Sequence, residues 1–354
     1  MKKLLLPISF LSLLAGTLAL APVQAAHPSR VSEVLATYAP VTAEGAVFDR
    51  VVAAGNAFLE SLGDDRRAEC MFDLDDAERS RWTNVPPGAE EGGVRLGDLN
   101  EEQTKRACDL LYAALSKEGY AKTRDIILGD DRLLRNGQAR RGFGAENFWL
   151  VLFGRPHARE AWGLQLDGHH LALNLAFEGG DMCMTPTFLG AQPSDYQRGG
   201  TSIRPMLNEL GQAFALVNSL TSDQRAEALV GGKRGQVEYG PGKDGEVPTP
   251  QGLSCQSLGE EQRVHLRALL GTYVSLLPEP FAGRRLEQLA AEVDEMHFAW
   301  SGPTENPSDV SYRLQSPSLL IEFACQDLGG KPLDHLHAMI RNPLSEYGGS
   351  LGGK

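Results

Sequence analysis

Four of the eight histidines fall in two tight clusters, and the residue types suited to metal or acid–base chemistry gather around them. The first cluster is Asp167-Gly168-His169-His170, which runs into Leu171-Ala-Leu-Asn174-Leu-Ala-Phe177. The second is Asp334-His335-Leu336-His337, followed by Arg341-Asn342-Pro343 and Tyr347-Gly348. In an extended segment His335 and His337 point to the same side, where two imidazoles can grip one ion. A third ligand and an open position complete a common catalytic metal site. His170 and Glu322 are the candidates for that third ligand. Arg341 suits an anionic group in fork geometry, and His169 or Tyr347 suits proton transfer.

Strand parity sorts these residues further. From His169 onward one face carries His169, Leu171, Leu173, Leu175 and Phe177, a core pattern. The other carries His170, Ala172, Asn174, Ala176 and Glu178, polar groups with small spacers that suit a lined pocket. Two adjacent histidines on one straight strand cannot chelate a single ion together unless a bulge intervenes. Glu322 lies amid Leu319, Leu320, Ile321 and Phe323, and a buried carboxylate needs a partner or a raised pKa. Arg313, Arg341 or a metal can be that partner, so a structural Arg–Glu pair stands beside a ligand or acid–base role. Asn174, Arg313, Arg341 and Trp162 are the candidate substrate contacts. The plainer alternative for the histidines is backbone hydrogen bonding in turns or solvation in a loop.

The elements that must position these residues come in two similar sets. Leu99-Asn-Glu-Glu-Gln103, followed by Leu110-Leu111, recurs as Leu258-Gly-Glu-Glu-Gln262, followed by Leu269-Leu270. Ser61-Leu62-x-x-Asp65-x-Arg67-Ala68-Glu69 recurs as Ser219-Leu220-x-x-Asp223-x-Arg225-Ala226-Glu227 at nearly the same offset. Apolar residues at helical spacing fill residues 45–70 and 205–230. A second helix starts at each Leu-x-Glu-Glu-Gln motif, capped by Asn100 or Ser257. The stretches between are loop-like: Pro86-Pro87-Gly88 in one, the Gly/Pro-rich segment from Gly231 to Gly252 in the other. Strands follow, at Phe148–Phe153 and on both sides of Gly168, and again at His297–Ser301 and around Ser316-Pro317. A further offset lays Leu166 on Leu314, Leu171 on Leu319 and Asn174 on Glu322. The expected fold is α+β, with two pseudo-repeated halves of helices followed by antiparallel strands in one compact domain. The halves span residues 26–200 and 201–354. If the two central strands are neighbours, His170, Asn174 and Glu322 converge.

Met1-Lys-Lys3, the apolar run Leu4–Leu20 and Pro22-Val23-Gln-Ala25-Ala26 read as a signal peptide over residues 1–25, cleaved after Ala25. The run is short and interrupted for a stable span. Export to the periplasm or beyond follows, with no stable membrane insertion after cleavage. The whole chain carries a net charge of −12, and the leader takes two lysines and no acid with it, leaving −14. Such a surface has no electrostatic footprint for nucleic acid, so the expected partner is a small molecule. Five cysteines, none in Cys-x-x-Cys spacing, support neither a thiolate zinc site nor a thioredoxin-type motif. In an oxidising compartment the expectation is one or two structural disulfides plus a buried thiol. There is no phosphate loop and no Gly-x-Ser-x-Gly elbow.

Several motifs in fixed order resemble a known family. They are Trp162-Gly, Gly168-His169-His170-Leu171, Thr185-Pro186-x-Phe188-x-Gly190-Ala191-x-Pro193, Trp300-x-Gly302, Tyr312-Arg313, Ile321-Glu322-Phe323 and His335-x-His337-x-x-x-Arg341-x-Pro343-x-x-x-Tyr347-Gly348. Together they resemble domain of unknown function 3500, an uncharacterised bacterial and fungal family. Ser316-Pro317 and Asn342 depart from the family pattern, the second weakening any role for a carboxylate at that position. The resemblance implies a secreted or periplasmic single domain and supplies no activity. The residues themselves point first to a metal-dependent hydrolase using zinc or copper. A non-catalytic binder of a metal or small anion is the next reading. A metal-free acid–base enzyme built on Glu322 and a histidine is the third.

Overall fold

The structure is a computed structural model that describes residues 28–41, 44–86, 92–135, 142–232, 235–327 and 331–351. The signal-peptide reading lies outside the described residues. Helices α1 (Arg30–Thr37), α2 (Val47–Ser61), α3 (Asp64–Cys70), α4 (Glu101–Ala114) and α5 (Lys117–Arg135) belong to the first half. Helices α6 (Leu207–Ser219), α7 (Ser222–Ala228), α8 (Glu260–Val274) and α9 (Phe281–Ala291) belong to the second. The Leu-x-Glu-Glu-Gln motifs do start helices. Asn100 caps α4 by accepting from the Gln103 backbone at 2.9 Å, while the Gln103 side chain accepts from the Asn100 backbone. In the second half Gly259, not Ser257, precedes α8, and its N–H donates to the Gln262 side chain at 2.9 Å. Ser257 instead donates to the Ser254 carbonyl. Both glutamines also reach back past one helix: Gln103 donates to the Ser61 carbonyl at the end of α2 and Gln262 to that of Ser219 at the end of α6, each at 2.9 Å.

The first-half strands are β1 (Met71–Phe72), β2 (Val94–Arg95), β3 (Phe148–Phe153), β4 (Trp162–Gly168), β5 (Leu171–Glu178) and β6 (Asp181–Ala191), with a separate hairpin of β7 (Tyr196–Arg198) and β8 (Thr201–Ile203). The second half adds β9 (Leu253–Ser254), β10 (His297–Ser301), β11 (Ser311–Ser316), β12 (Leu319–Cys325) and β13 (Leu336–Arg341). All but β7 and β8 form one sheet in the order β1-β3-β4-β5-β6-β13-β12-β11-β10-β9, with β2 also on β3. Every pairing is antiparallel except β1 with β3. The seam is β6 against β13. These two strands separate β5 from β12, so the central strands that carry Asn174 and Glu322 are not neighbours and the two residues do not meet across a shared edge.

The two faces of the sheet differ as parity requires. One face carries Leu164, Leu166, Leu171, Leu173, Leu189, Ala338, Ile321 and Phe323 and packs in the main core with the helices. The other is polar, and the Gly/Pro-rich loops cross it. On it, Asp167 accepts from the Thr83 backbone at 2.7 Å, and Glu322 accepts from the Glu238 and Tyr239 backbones at 2.9 and 2.8 Å. The loops therefore satisfy polar groups that an apolar layer would strand. The five cysteines sit in five different elements or turns and none is in a disulfide, which overturns the expectation of one.

Candidate metal centre

The two histidine clusters meet on the polar face, beside the seam. Gly168 pairs with Leu171, so His169 and His170 form the two-residue turn between β4 and β5 rather than part of a straight strand. His170 adopts φ +69°, the left-handed region that is costly for any residue with a Cβ. The turn is held on both sides: the His170 N–H donates to the Asn84 carbonyl at 3.3 Å, and its carbonyl accepts from the Gly190 N–H at 2.6 Å. His337 lies in β13, in register with Gly190 of β6 and Ala324 of β12, and His335 ends the short helical turn Pro332–Asp334 just before it. Gly190 is a steric requirement. A Cβ there would fall 2.9 Å from His170 Cδ2 and 3.0 Å from its Cβ.

The three imidazoles converge through one kind of atom. His170 Nε2 is 2.8 Å from His335 Nε2, which is 2.9 Å from His337 Nε2. Ligand atoms of the three residues lie within 4.8 Å of one another, close enough to hold one metal ion. The side chains are buried, with His170 2% exposed and His335 and His337 each 6%. Burial, and then the neighbouring imidazoles, push the pKa of His170 and of His337 well below the usual histidine range. Both are therefore neutral at pH 7, the state in which a histidine ligates. Each Nε2 offers either one proton or one lone pair. The His335 nitrogen, which has a close nitrogen on each side, can form a proper hydrogen bond with only one of them.

A second layer fixes the first. His169 stacks on His170 with ring centres 3.7 Å apart and on Phe143 at 4.4 Å. Its Nδ1 is hydrogen-bonded to Asp130 Oδ1, while Asp130 Oδ2 accepts from the Gly144 N–H at 2.7 Å. Asp130 comes from α5 and is 1% exposed. Phe188 meets the His337 ring edge-on at 4.9 Å. Asp130, His169 and His170 also form a second group close enough to hold an ion.

Residues 44–349 match the family described as "Protein of unknown function (DUF3500)". The chain is a member of the DUF3500 family. No curated protein and no solved structure matches it.

In this DUF3500 chain the remaining candidate residues lie away from the three imidazoles. Glu322 is paired with Arg313, whose Nη2 donates at 2.6 Å, and its other oxygen accepts from the two loop N–H groups. Arg313 also reaches Glu238 at 2.9 Å and packs under Tyr239. Among the described residues neither metal-competent group includes Glu322, so the structural Arg–Glu alternative is the one the geometry matches. Asn174 accepts from Gln165 at 2.6 Å and donates to the Pro186 carbonyl at 2.9 Å. Trp162 is buried on the helix side, stacked on Phe177 at 4.2 Å, and belongs to the core rather than to a polar pocket. Arg341 pairs with Glu346 and donates to the Glu246 carbonyl at 3.0 Å. The Tyr347 hydroxyl accepts from Trp82 Nε1 at 3.0 Å and donates to Asp244 at 2.8 Å. Tyr347 packs with Trp82, Ala172, Phe188 and Met339, one layer from His337.

Sequence reading missed Asp130, Phe143 and Gly190. Asp130 left a usable signal. It and Asp131 fall on the buried side of α5 among Ile126, Ile127 and Leu133, and a carboxylate there needs a specific partner.

Proposed function

We propose that this protein is an exported metalloprotein that holds a divalent ion on His170, His335 and His337 and uses it in hydrolysis. The carrying observation is the crowding of three imidazole Nε2 atoms at 2.8 and 2.9 Å, which protons alone cannot resolve. Zinc–imidazole bonds of about 2.0–2.1 Å would set the nitrogens about 3.4 Å apart in a tetrahedron. The rings then separate by about 0.5 Å from their present spacing. An all-imidazole set favours zinc or copper over magnesium or calcium. Such an ion supplies Lewis acidity and lowers the pKa of a bound water. His169, hydrogen-bonded to Asp130, stacks on His170 and could accept a proton beside this group. Export rests on the leader-like N-terminal pattern alone.

Elemental analysis of protein purified from exporting cells without chelator tests the metal. About one equivalent of zinc or copper is expected, lost in His335→Ala/His337→Ala. A metal-free native protein refutes the proposal. Turnover of an ester, amide or phosphoester by the loaded protein then tests hydrolysis. The low exposure of all three imidazoles favours a second reading, a non-catalytic metal-binding protein. Azide added to the cobalt-substituted protein separates the two. A changed visible spectrum means an accessible coordination position, and an unchanged one favours storage or transport of the ion.

A further inference from the structure

Two segments cross the polar face of the sheet. Residues 73–86 follow β1, and residues 235–252 run from beyond α7 into β9. The first segment is bonded to the imidazole group itself, since the Asn84 carbonyl accepts from the His170 N–H. The second starts beside β12, where the Gly235 carbonyl accepts from the Asp327 N–H at 3.3 Å. It is bonded again to β11, where the Pro248 carbonyl accepts from Gln315 at 2.6 Å. The two segments meet in a small apolar cluster separate from the main core. Trp82 comes from the first, Val237 from the second, and Ala172, Phe188 and Met339 from the sheet beneath. Phe188 is the ring that meets His337 edge-on. In this closed arrangement all three imidazoles are buried.

One turn ties both segments down. The Tyr347 hydroxyl accepts from Trp82 of the first at 3.0 Å and donates to Asp244 of the second at 2.8 Å. The Tyr347 carbonyl accepts from Arg79 at 2.6 Å, and the Arg79 guanidinium also lies over the Tyr347 ring. Glu346 accepts from the Gly245 N–H at 2.8 Å. Tyr347 makes these contacts at φ +53°, a left-handed conformation that is costly for a residue with a Cβ and persists only where the surroundings impose it. Residues 244–247 are exposed, and Gly242 and Gly245 are left-handed too. A segment held by a few exposed hydrogen bonds opens before a buried sheet does.

We infer that the two segments form a lid over the imidazole group, latched at Tyr347, and that the imidazoles become reachable when the latch opens. What passes the lid rests on the metal reading above; the lid itself does not. Diethyl pyrocarbonate, which acylates accessible imidazoles, tests it on EDTA-treated protein, with the labelled sites read by peptide mass spectrometry. Labelling through a rare open state follows the population of that state. His335 and His337 should label far more slowly than His157, which is exposed. Tyr347→Phe removes both hydroxyl bonds and should speed labelling of His335 and His337 about tenfold, the equivalent of 1.4 kcal/mol, with His157 unchanged. Hydrogen exchange should quicken at the Thr83 and Gly245 amides, which the lid holds to Asp167 and Glu346, and keep its wild-type rate in β5 and β12. A general loss of stability would speed all of them. Asp244→Ala breaks only the exposed bond, with about a threefold gain in labelling expected, and it serves alone if Tyr347→Phe fails to fold. Wild-type labelling of His335 and His337 as fast as that of His157, unchanged labelling in the variants, or an acceleration matched by equal loss of protection in β5 and β12 would overturn the inference. A protein that carries no metal yet passes these tests would sink the metal reading and leave the lid standing.

Discussion

Gly190→Ala isolates the geometry of the imidazole group without touching an imidazole. The new Cβ would lie 2.9, 3.0 and 3.1 Å from His170 Cδ2, Cβ and Cγ, where ordinary contacts begin at 3.4 Å. The ring must therefore retreat by about 0.5 Å, more than the ~0.2 Å latitude of a metal–ligand distance. It has little room to do so, because His169 stacks against it at 3.7 Å and the His170 carbonyl is bonded to the Gly190 N–H itself. Overpacking of this kind costs about 1–3 kcal/mol of folding stability. Displacing one ligand of three should weaken the metal by about 10–100-fold, or 1.4–2.7 kcal/mol. Competition titration of zinc against a chromophoric chelator, on protein shown to be folded by its thermal transition, measures both quantities. A folded Gly190→Ala protein with wild-type zinc affinity would refute the argument that Gly190 holds His170 in a ligating position.

Three further outcomes follow from separate features. Asp130→Asn removes the charge that orients His169. Zinc affinity should fall about tenfold and the spectrum of the cobalt form should shift, whereas unchanged values would make Asp130 a helix-packing residue only. Glu322→Gln leaves Arg313 buried without its closest anion. Chemical denaturation should show a loss of about 3 kcal/mol, while zinc affinity stays at the wild-type value; a parallel loss of zinc would return Glu322 to the metal site. The thiols should be free but slow to react. Burial pushes Cys70 and Cys255 up to about 12 and Cys108 and Cys183 up to about 11, so at pH 8 well under ~1% of each is thiolate. A thiol reagent should therefore label the native protein slowly and all five cysteines once it is unfolded without reductant; fewer than five would reveal a disulfide.

The chemistry-bearing residues were visible from type and parity because both are local properties. His335-x-His337 reads the same in any extended segment, and the clustering of His169 and His170 beside a polar strand face is plain from residue type, although alternation does not apply to a residue that lies in the turn. The repeated helix motifs were legible for a similar reason, since caps and glutamine back-bonds are made within a few residues. Errors arose where a partner was chosen across the fold. Placing Glu322 in the site assumed that β5 and β12 touch, and the seam of β6 and β13 keeps them apart. Arg341 and Tyr347 carried plausible chemistry, but the 236–252 loop and Trp82 engage them. The cysteines followed a compartment rule, and the fold places them in five different elements or turns with none bridged.

By itself, then, the sequence determined the α+β class, the two-faced strands and three histidines able to ligate a metal. All of these follow from period, local hydrogen bonding and side-chain chemistry. Only the tertiary structure decided that those three meet, through a two-residue turn at φ +69° set against Gly190 of a strand twenty residues on. It also decided that Asp130 of a distant helix stands behind them and that Glu322 belongs to Arg313. Strand order and register assign a side chain its neighbours, and they are settled by which faces can be buried together, a property of the whole chain.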